Sequence, residues 1–202
     1  MLFDKPNTTT VQEILDKFAV KELIEFERFC RDNSLWDQMR QCYAEKSRVK
    51  TSWYSGDGRG FVEASSKMKT VAPHKINNTL VWLNKNRAVA VTMACIQSRK
   101  EISGKLFDLS SYVRLVYTVI KESEGWKLAS LNAIYEKDCL VQASPEGMEP
   151  SPGSRASYAN LISIIGSEGY KMDANLAGDD RPDLKDALFN SASTWLGERA
   201  EG

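Results

Sequence analysis

Three long segments of alternating apolar and polar residues in the middle of the chain constrain its fold most strongly. They are joined by short links, such as Glu122-Ser123-Glu124-Gly125. Alternation with a period of two is typical of β-strands, and links this short join antiparallel neighbours. A fourth strand is predicted just before them, ahead of a tight turn. The sequence therefore predicts an antiparallel meander with strands at 74–83, 88–99, 106–121 and 126–141.

A helical pattern precedes the predicted strands. From Val11 to Cys30, apolar residues recur at steps of three and four, which indicates an amphipathic helix. Thr10 is its predicted N-cap, and Glu13 completes a capping box. Helices placed before an antiparallel sheet indicate an α+β fold. Between the first helix and the meander, the predicted elements are a helix over 35–44, a strand over 48–54 and a helix over 60–68.

Composition divides the chain into parts. The segment 143–153 is rich in proline, glycine and serine, which is typical of a linker. Beyond it, one helix is predicted over 157–165, and another begins at Pro182 with Asp180 as its cap. The predicted parts are a flexible arm over 1–10, a folded domain over 11–142, and a linker with a helical extension over 143–202.

Charge and cysteine usage limit the partners that this chain can have. Basic and acidic residues number 27 each, whereas general binding to nucleic acid or anionic membranes needs a basic excess. No apolar run approaches the roughly 18 residues of a membrane span, and the N-terminus lacks a secretory pattern. The four cysteines are far apart, so we expect a reduced, cytoplasmic protein. We expect a small-molecule partner, no nucleic acid and no membrane.

Three motifs together resemble the SnoaL-like family of the nuclear-transport-factor-2-like superfamily. RDNSLWD at 31–37 matches a helix that breaks before a second helix, and APHKI at 72–76 matches a histidine that begins a strand. The third motif is the last hairpin, between Tyr112 and Leu128. The resemblance covers roughly residues 11–141. It implies a cone-shaped curved antiparallel sheet packed on N-terminal helices, a pocket between them, and a homodimer or homotrimer.

The resemblance also implies a catalytic pair. The family includes polyketide cyclases, scytalone dehydratase, hexachlorocyclohexane dehydrochlorinase and steroid isomerases. His74, the one histidine of the chain, matches the catalytic histidine of the dehydratase and the dehydrochlorinase, and Asp32 matches the aspartate that orients it. A neutral imidazole can take a proton from carbon while a carboxylate fixes its tautomer. The alternatives are a hydrogen-bonded surface histidine and a capping aspartate.

The chain departs from the scytalone dehydratase pattern at the residues that bind substrate. Where that enzyme has two tyrosines, this chain has Arg31 and Thr51, and it has no second histidine. Scytalone itself is therefore not the expected substrate. Tyr54 could supply a phenol, although strand alternation predicts that it faces away from Thr51 and Trp53.

Aromatic and polar side chains form the predicted wall of the pocket. Aromatic and methionine side chains are also common in hydrophobic cores, so the alternative interpretation is that these residues are core residues. Asp108 could be a second acid or base or lie exposed at a strand edge, with Arg114 as an ion-pair partner. Glu27 could face the mouth of the cavity, but a solvated helix face is the expected position. The predicted substrate-binding residues are Trp36, Trp53, Tyr54, Phe61, Met93, Asp108, Tyr112 and Asn132.

Together these features predict a lyase, isomerase or cyclase that uses general acid and base catalysis on a small polycyclic or polyketide-type substrate. No cofactor and no metal are expected, because the chain has no clustered histidines and cysteines and no glycine-rich nucleotide loop. The first alternative is a non-catalytic binding protein of the same fold. The second is an interaction module that dimerises through exposed side chains of Val113, Leu115, Tyr117 and Val119.

Overall fold

The computed structural model describes residues 4–70, 72–150 and 153–197. Within these ranges the chain forms two compact units, the first ending at Gln142 and the second beginning at Ala143. Parts of the predicted arm (1–3), linker (151–152) and C-terminal extension (198–202) lie outside the described residues. Residues 4–10 have no helix or strand. The two units are described separately below.

The first half of the first unit contains both helices and strands, and its second half consists of strands alone. The helices are α1 (Val11–Asp32), α2 (Trp36–Gln41) and α3 (Gly58–Ser66). The strands are β1 (Tyr43–Lys50), β2 (Ser55–Gly56), β3 (His74–Asn84), β4 (Arg87–Ile102), β5 (Lys105–Glu122) and β6 (Gly125–Gln142).

The six strands form one open, mixed sheet in the order β2-β1-β6-β5-β4-β3. The α+β prediction is confirmed, and the last four strands form the predicted meander. The predicted antiparallel sheet is mixed at one side, because β1 pairs with β6 in parallel. This pairing joins the helical half of the unit to the last strand of the meander.

The first helix begins as predicted but buries a different face. The Thr10 hydroxyl accepts from the Glu13 amide, and the Glu13 carboxylate accepts from the Thr10 amide, which completes the capping box. Several members of the predicted apolar stripe are exposed, Phe18 among them. The buried residues of α1 are Val20, Ile24, Glu27, Arg28 and Cys30.

Neither α1 nor any other helix in the described ranges combines the length and apolar character needed to cross a bilayer.

The inner face of the sheet combines small residues on β4 with large ones on β5. Register pairs Ala90 with Tyr117 and Thr92 with Leu115. Because β5 places its large apolar side chains in the core, the predicted dimer interface on these side chains is wrong. The four residues of that prediction, Val113, Leu115, Tyr117 and Val119, are all at most 3% exposed.

The boundaries around β1 differ most from the sequence prediction. The strand begins at Tyr43, inside the predicted second helix, and ends at Lys50. Its parallel pairing with β6 extends from Tyr43 to Lys50 and decides where the extended backbone lies. Asp57 then caps α3, its carboxylate accepting from the Gly60 amide at 2.8 Å, so α3 starts earlier than predicted.

The second unit contains α4 (Ala159–Ser167) and α5 (Pro182–Gly197), and neither helix has a buried residue. An ion pair between Arg155 and Asp180, at 2.7 Å, organises the segment before α5. Arg155 also donates to the carbonyl oxygens of Ala174 and Leu176. Asp180, predicted to cap α5, therefore serves as the partner of Arg155.

Candidate functional site

The structure brings Asp32 and His74 into direct contact. Nδ1 of His74 lies 2.8 Å from Oδ1 of Asp32, and the backbone amide of His74 donates to Oδ2 at 2.6 Å. The side chain of His74 is 4% exposed, and that of Asp32 is 15% exposed. One carboxylate thus fixes both the ring and the backbone of the histidine in a place that is largely closed to water.

Their positions follow from the ends of two elements. Asp32 is the last residue of α1, and His74 is the first residue of β3, directly after Pro73. Pro73 restricts the preceding backbone to extended conformations, and its carbonyl accepts from the Gln97 amide on β4. The imidazole is therefore held between the C-terminal end of the helix and the edge strand of the sheet.

Arg28 occupies the other nitrogen of the imidazole. Its Nη1 lies 3.3 Å from Nε2 of His74. A guanidinium only donates hydrogen bonds, so Nε2 must be the accepting nitrogen and Nδ1 must carry the proton towards Asp32. This arrangement selects the tautomer whose free electron pair is on Nε2, as a general base acting through Nε2 requires.

Glu27 and Tyr43 complete the network behind Arg28. The Glu27 carboxylate accepts from Nε of Arg28 at 2.5 Å and from Nη2 of the same side chain. The Tyr43 hydroxyl donates to the same carboxylate at 2.9 Å. Glu27 is fully buried and Arg28 nearly so. Because water does not solvate these two charges, each is compensated by the other. The expectation of a solvated Glu27 is wrong.

The environment holds His74 neutral and Asp32 ionised at neutral pH. The pKa of His74 is lowered to about 4, chiefly by burial and also by the charge of Arg28, whereas the contact with Asp32 acts in the opposite direction. For Asp32, burial acts to raise the pKa, but the hydrogen bonds with His74 outweigh it and the pKa lies below its usual value. The pair therefore has the charges that a base and its orienting carboxylate need.

A second phenol lies in the same buried region. Tyr117 on β5 is fully buried, and its hydroxyl has no hydrogen-bond partner among the described residues. Burial raises its pKa, and the charges of Arg28 and Glu27 both act on it. The hydroxyl is thus a neutral donor near the Glu27–Arg28 pair.

The predicted aromatic residues form one cluster beside this network. The ring of Phe61 lies 5.4 Å from each of the rings of Trp53 and Tyr54, and the guanidinium of Arg28 lies 5.8 Å from its centre. Trp53 and Tyr54 follow the end of β1, so the alternation that put them on opposite faces does not apply. Trp36 packs against the core of the unit.

Four predicted binding residues lie away from this network. Met93 and Asn132 are exposed, and Tyr112 is 39% exposed, because each lies on the face of its strand opposite the buried face. Asp108 forms a two-point ion pair with Arg99 across the β4–β5 hairpin. The prediction that these four side chains line the pocket is wrong. Arg114 forms an ion pair with Glu136 at 2.8 Å, and not with Asp108.

A cavity of about 980 Å³ lies at the opposite end of α1. Its walls include residues 4–7, Glu13 and Lys17 of the helix, and Trp82 at the end of β3. None of the predicted site residues lines it. At 1.5 Å per residue, Lys17 lies roughly 20 Å along α1 from Asp32, so the cavity is separate from the histidine network.

Sequence reasoning overlooked Arg28 and expected Glu27 on a solvated face. Glu27 and Arg28 follow Val20 and Ile24 at helical spacing, so they continue the stripe that α1 buries. Charged residues inside such a stripe are a usable signal of a buried site. Within the described ranges, no group of three or more histidine, cysteine, aspartate or glutamate side chains could hold a metal ion.

No protein-family model matches this chain, and no curated protein matches it. Solved structures do. A putative scytalone dehydratase from Novosphingobium aromaticivorans is 16% identical with a TM-score of 0.56, over 69% of this chain and 98% of that protein. A hexachlorocyclohexane dehydrochlorinase, LinA type 3, from Novosphingobium barchaimii is 8% identical with a TM-score of 0.58, over 71% and 99%.

A protein of unknown function with a cystatin-like fold, from Nostoc punctiforme, is also similar. It is 16% identical, with a TM-score of 0.50, and the match covers 64% of this chain and 96% of that protein. Identities this low establish a shared fold and nothing about activity.

Proposed function

Since the first unit has the fold of the SnoaL-like, nuclear-transport-factor-2-like superfamily, as its sequence predicts, we propose that the protein is a cofactor-independent lyase of the dehydratase type. His74 is the general base and then the general acid, and Asp32 orients it. The observation that carries the proposal is the 2.8 Å contact between Nδ1 of His74 and the Asp32 carboxylate.

The proposed reaction is an elimination. Nε2 of His74 takes a proton from a carbon of the substrate, the C–H electrons form a C=C bond, and the leaving group departs from the neighbouring carbon. When the leaving group is a hydroxyl, His74 returns the proton to it and water is released. Asp32 stabilises the imidazolium that forms in between. For this step Nη1 of Arg28 must move off Nε2.

The surroundings of the pair support an apolar substrate. The rings of Trp53, Tyr54 and Phe61 lie close together, with Arg28 beside Phe61, and aromatic surfaces bind flat ring systems well. A small polycyclic or polyketide-type compound fits this chemistry. The same proton abstraction would also begin an isomerisation or an aldol cyclisation. Two structural neighbours with names of lyases, a putative scytalone dehydratase and a dehydrochlorinase, favour elimination.

The proposal can be tested with 5-nitrobenzisoxazole, whose ring opens when a base removes its one activated proton. We expect wild-type protein to release the coloured phenolate, and His74→Gln and Asp32→Asn to lose about a hundredfold or more of the rate, the usual contribution of a positioned base. Asp37→Asn, on the exposed end of α2, is the matched control and should leave the rate unchanged. Equal rates in wild type, His74→Gln and Asp32→Asn would overturn the proposal.

A second candidate function is ligand binding without turnover. The observation that favours it is the contact of Arg28 with Nε2 of His74, since it leaves the catalytic nitrogen occupied. In this case the network only shapes a binding site. A flat ligand would then bind wild type and His74→Gln with different affinities, while neither protein would accelerate the elimination.

We also propose that two copies pair through the outer face of the sheet. Met93 and Ile134 are 46% and 43% exposed there, and Arg114 and Glu136 form an ion pair on the same face. Adjacent opposite charges suit a two-fold interface, because each can face its opposite on the other copy. Light scattering after gel filtration should give the mass of a dimer. Met93→Glu should give a monomer, whereas Phe18→Glu, on the exposed face of α1, should not.

The cysteines support a reducing compartment such as the cytoplasm. All four are free thiols, and Cys30, Cys42 and Cys95 are buried. Burial raises the pKa of Cys30 to about 11 and that of Cys42 to about 12, so these thiols react slowly. We expect the isolated protein to be equally stable with and without a reducing agent, as judged by its denaturant midpoint.

A further inference from the structure

The cavity at the N-terminal end of α1 has no part in the proposed elimination. Its volume is about 980 Å³, and small-molecule sites in proteins commonly have volumes of about 300–1,000 Å³. Asp32 and His74 lie at the other end of the helix, and neither lines the cavity. A molecule bound in this cavity is therefore distinct from the substrate on which His74 would act.

Three neighbouring strands form the sheet side of the cavity. Nine of its wall residues lie on three successive rungs of strand pairing across β3, β4 and β5. The rungs are Trp82 with Val89 and Thr118, Leu83 with Ala88 and Val119, and Asn84 with Arg87 and Ile120. The middle rung is entirely apolar, and its Ala88 and Val119 are 5% and 2% exposed. This side of the cavity therefore favours a ligand with an apolar body.

The segment before α1 forms the opposite side of the cavity. The indole of Trp82 donates to the carbonyl oxygen of Asp4 at 2.8 Å. Nζ of Lys17 donates to the carbonyl oxygen of Asn7 at 3.0 Å and to the hydroxyl of Thr8 at 2.5 Å. The segment is thus attached both to the sheet and to the helix, and it closes one side of the cavity.

The wall carries more positive than negative charge. Its cationic side chains are Lys5, Lys17 and Arg87, and its carboxylates are Asp4 and Glu13. The Glu13 carboxylate accepts from the amides of the capping box, so these donors compensate its charge. Lys5 and Arg87 have no ion pair with any residue in the described part of the chain. Nζ of Lys17 has three N–H groups, of which two are used.

We propose that this cavity binds a small organic anion, whose apolar body packs against the sheet and whose acidic group faces the cationic side chains. Lys5 and Arg87 are exposed, so the acidic group keeps contact with water and avoids the cost of a fully buried charge. A cation with the same apolar body is repelled by the same side chains. None of these residues belongs to the His74 network, so the site is independent of the proposed lyase function.

The test uses two fluorescent probes that share an apolar body and differ in one acidic group. They are 8-anilinonaphthalene-1-sulfonate and its neutral counterpart N-phenyl-1-naphthylamine, and both become brighter in apolar surroundings. Titration of wild-type protein should show one saturable site for the sulfonate. Added salt should weaken binding of the sulfonate and leave that of the neutral probe unchanged.

Two changes in the wall separate the contribution of charge from that of the apolar surface. Lys5→Gln/Arg87→Gln should weaken sulfonate binding about fivefold, as expected for two exposed ion pairs, and should not affect the neutral probe. Ala129→Phe adds a ring to the wall and should weaken binding of both probes. Lys85→Gln, in the same turn as Arg87 but outside the wall, is the matched control and should affect neither probe.

The site and the lyase can fail separately. Absence of saturable sulfonate binding, or equal affinity in wild type and Lys5→Gln/Arg87→Gln, would overturn the anion site. This double variant changes only exposed side chains, so it decides the question even if Ala129→Phe does not fold. Loss of sulfonate binding in Trp53→Ala would also overturn the site, because the probe would then lie at the aromatic cluster. An unchanged elimination rate in His74→Gln would reject the lyase alone.

Discussion

The two ends of α1 each hold the sheet through an aspartate, in very different surroundings. Near the N-terminal end, Asp16 accepts from Lys121 at 2.7 Å and from the indole of Trp126 at 3.1 Å. At the C-terminal end, Asp32 accepts from the ring and the backbone of His74. The Lys121 side chain is 39% exposed, whereas that of His74 is 4% exposed.

This difference shows which of the two contacts can have a functional role in addition to a structural one. At the N-terminal end, water reaches the Lys121 ammonium, so the ion pair with Asp16 serves mainly to fasten the helix. At the buried end, removal of one partner leaves a charge or a donor without solvent, and each group depends on the others. The predictions below test this contrast, from the largest expected effect to the smallest.

Arg28→Met alone should have the largest effect. It leaves Glu27 buried with only the Tyr43 hydroxyl as a partner, and breaking a buried ion pair on one side typically costs about 3–5 kcal/mol. Urea unfolding should show this loss. Glu27→Gln/Arg28→Met should recover most of the lost free energy of unfolding. If Arg28→Met alone were as stable as wild type, the two ends of α1 would not differ in the way described above.

The pH dependence of stability should come next. The pKa of His74 is about 4 in the folded protein and about 6.5 when unfolded, so the unfolded chain binds more protons between these values. The stability from the neutral ring is complete above pH 6.5 and is lost as the pH falls to 4, by up to about 3 kcal/mol. In His74→Gln the loss over this window should vanish. Parallel curves for wild type and variant would contradict the buried neutral ring.

The two buried tyrosines should respond in opposite ways to loss of the hydroxyl. Tyr43→Phe removes a donor from Glu27 and should cost about 1–2 kcal/mol, whereas Tyr117→Phe removes a hydroxyl without a partner and should be neutral or slightly stabilising. Thermal unfolding of both variants measures the difference. A clear loss of stability in Tyr117→Phe would reveal a partner for its hydroxyl.

The exposed end should show the smallest effect. Lys121→Met removes the ion pair with Asp16 but keeps a side chain of similar length, and such pairs contribute at most about 1 kcal/mol. Salt should reduce the difference from wild type further. Lys67→Met, in an exposed pair with Glu63 on α3, is the matched control. A loss comparable with that of Arg28→Met would remove the distinction between the ends.

The sequence was sufficient for the architecture where the signals are local. The four strands of the meander follow from alternation and short links, and the capping box at Thr10 follows from residue spacing. The position of β1 could not be read in this way, because its partner, β6, lies far along the chain. Parallel pairing with β6 therefore replaced the helical pattern after Gln41.

The site was only partly accessible to the same reasoning. Alternation shows that Met93 and Thr92 face opposite sides, but not which side is buried. The buried face of β4 has small residues, Ala90 and Ala94 among them, and its more apolar face is the exposed one. Hydrophobicity alone therefore indicated the wrong face of β4, the one that carries Met93.

The parallel pairing of β1 with β6 also sets an order of assembly. Tyr43 belongs to a strand whose partner leaves the ribosome after every other strand of the sheet. Until β6 is made, β1 has no neighbour other than the two-residue β2, so no strand pairing of the length of β1 fixes Tyr43 against Glu27. A nascent chain ending before Gly125 should thus lack the contact between Tyr43 and Glu27, which forms when the sheet is complete.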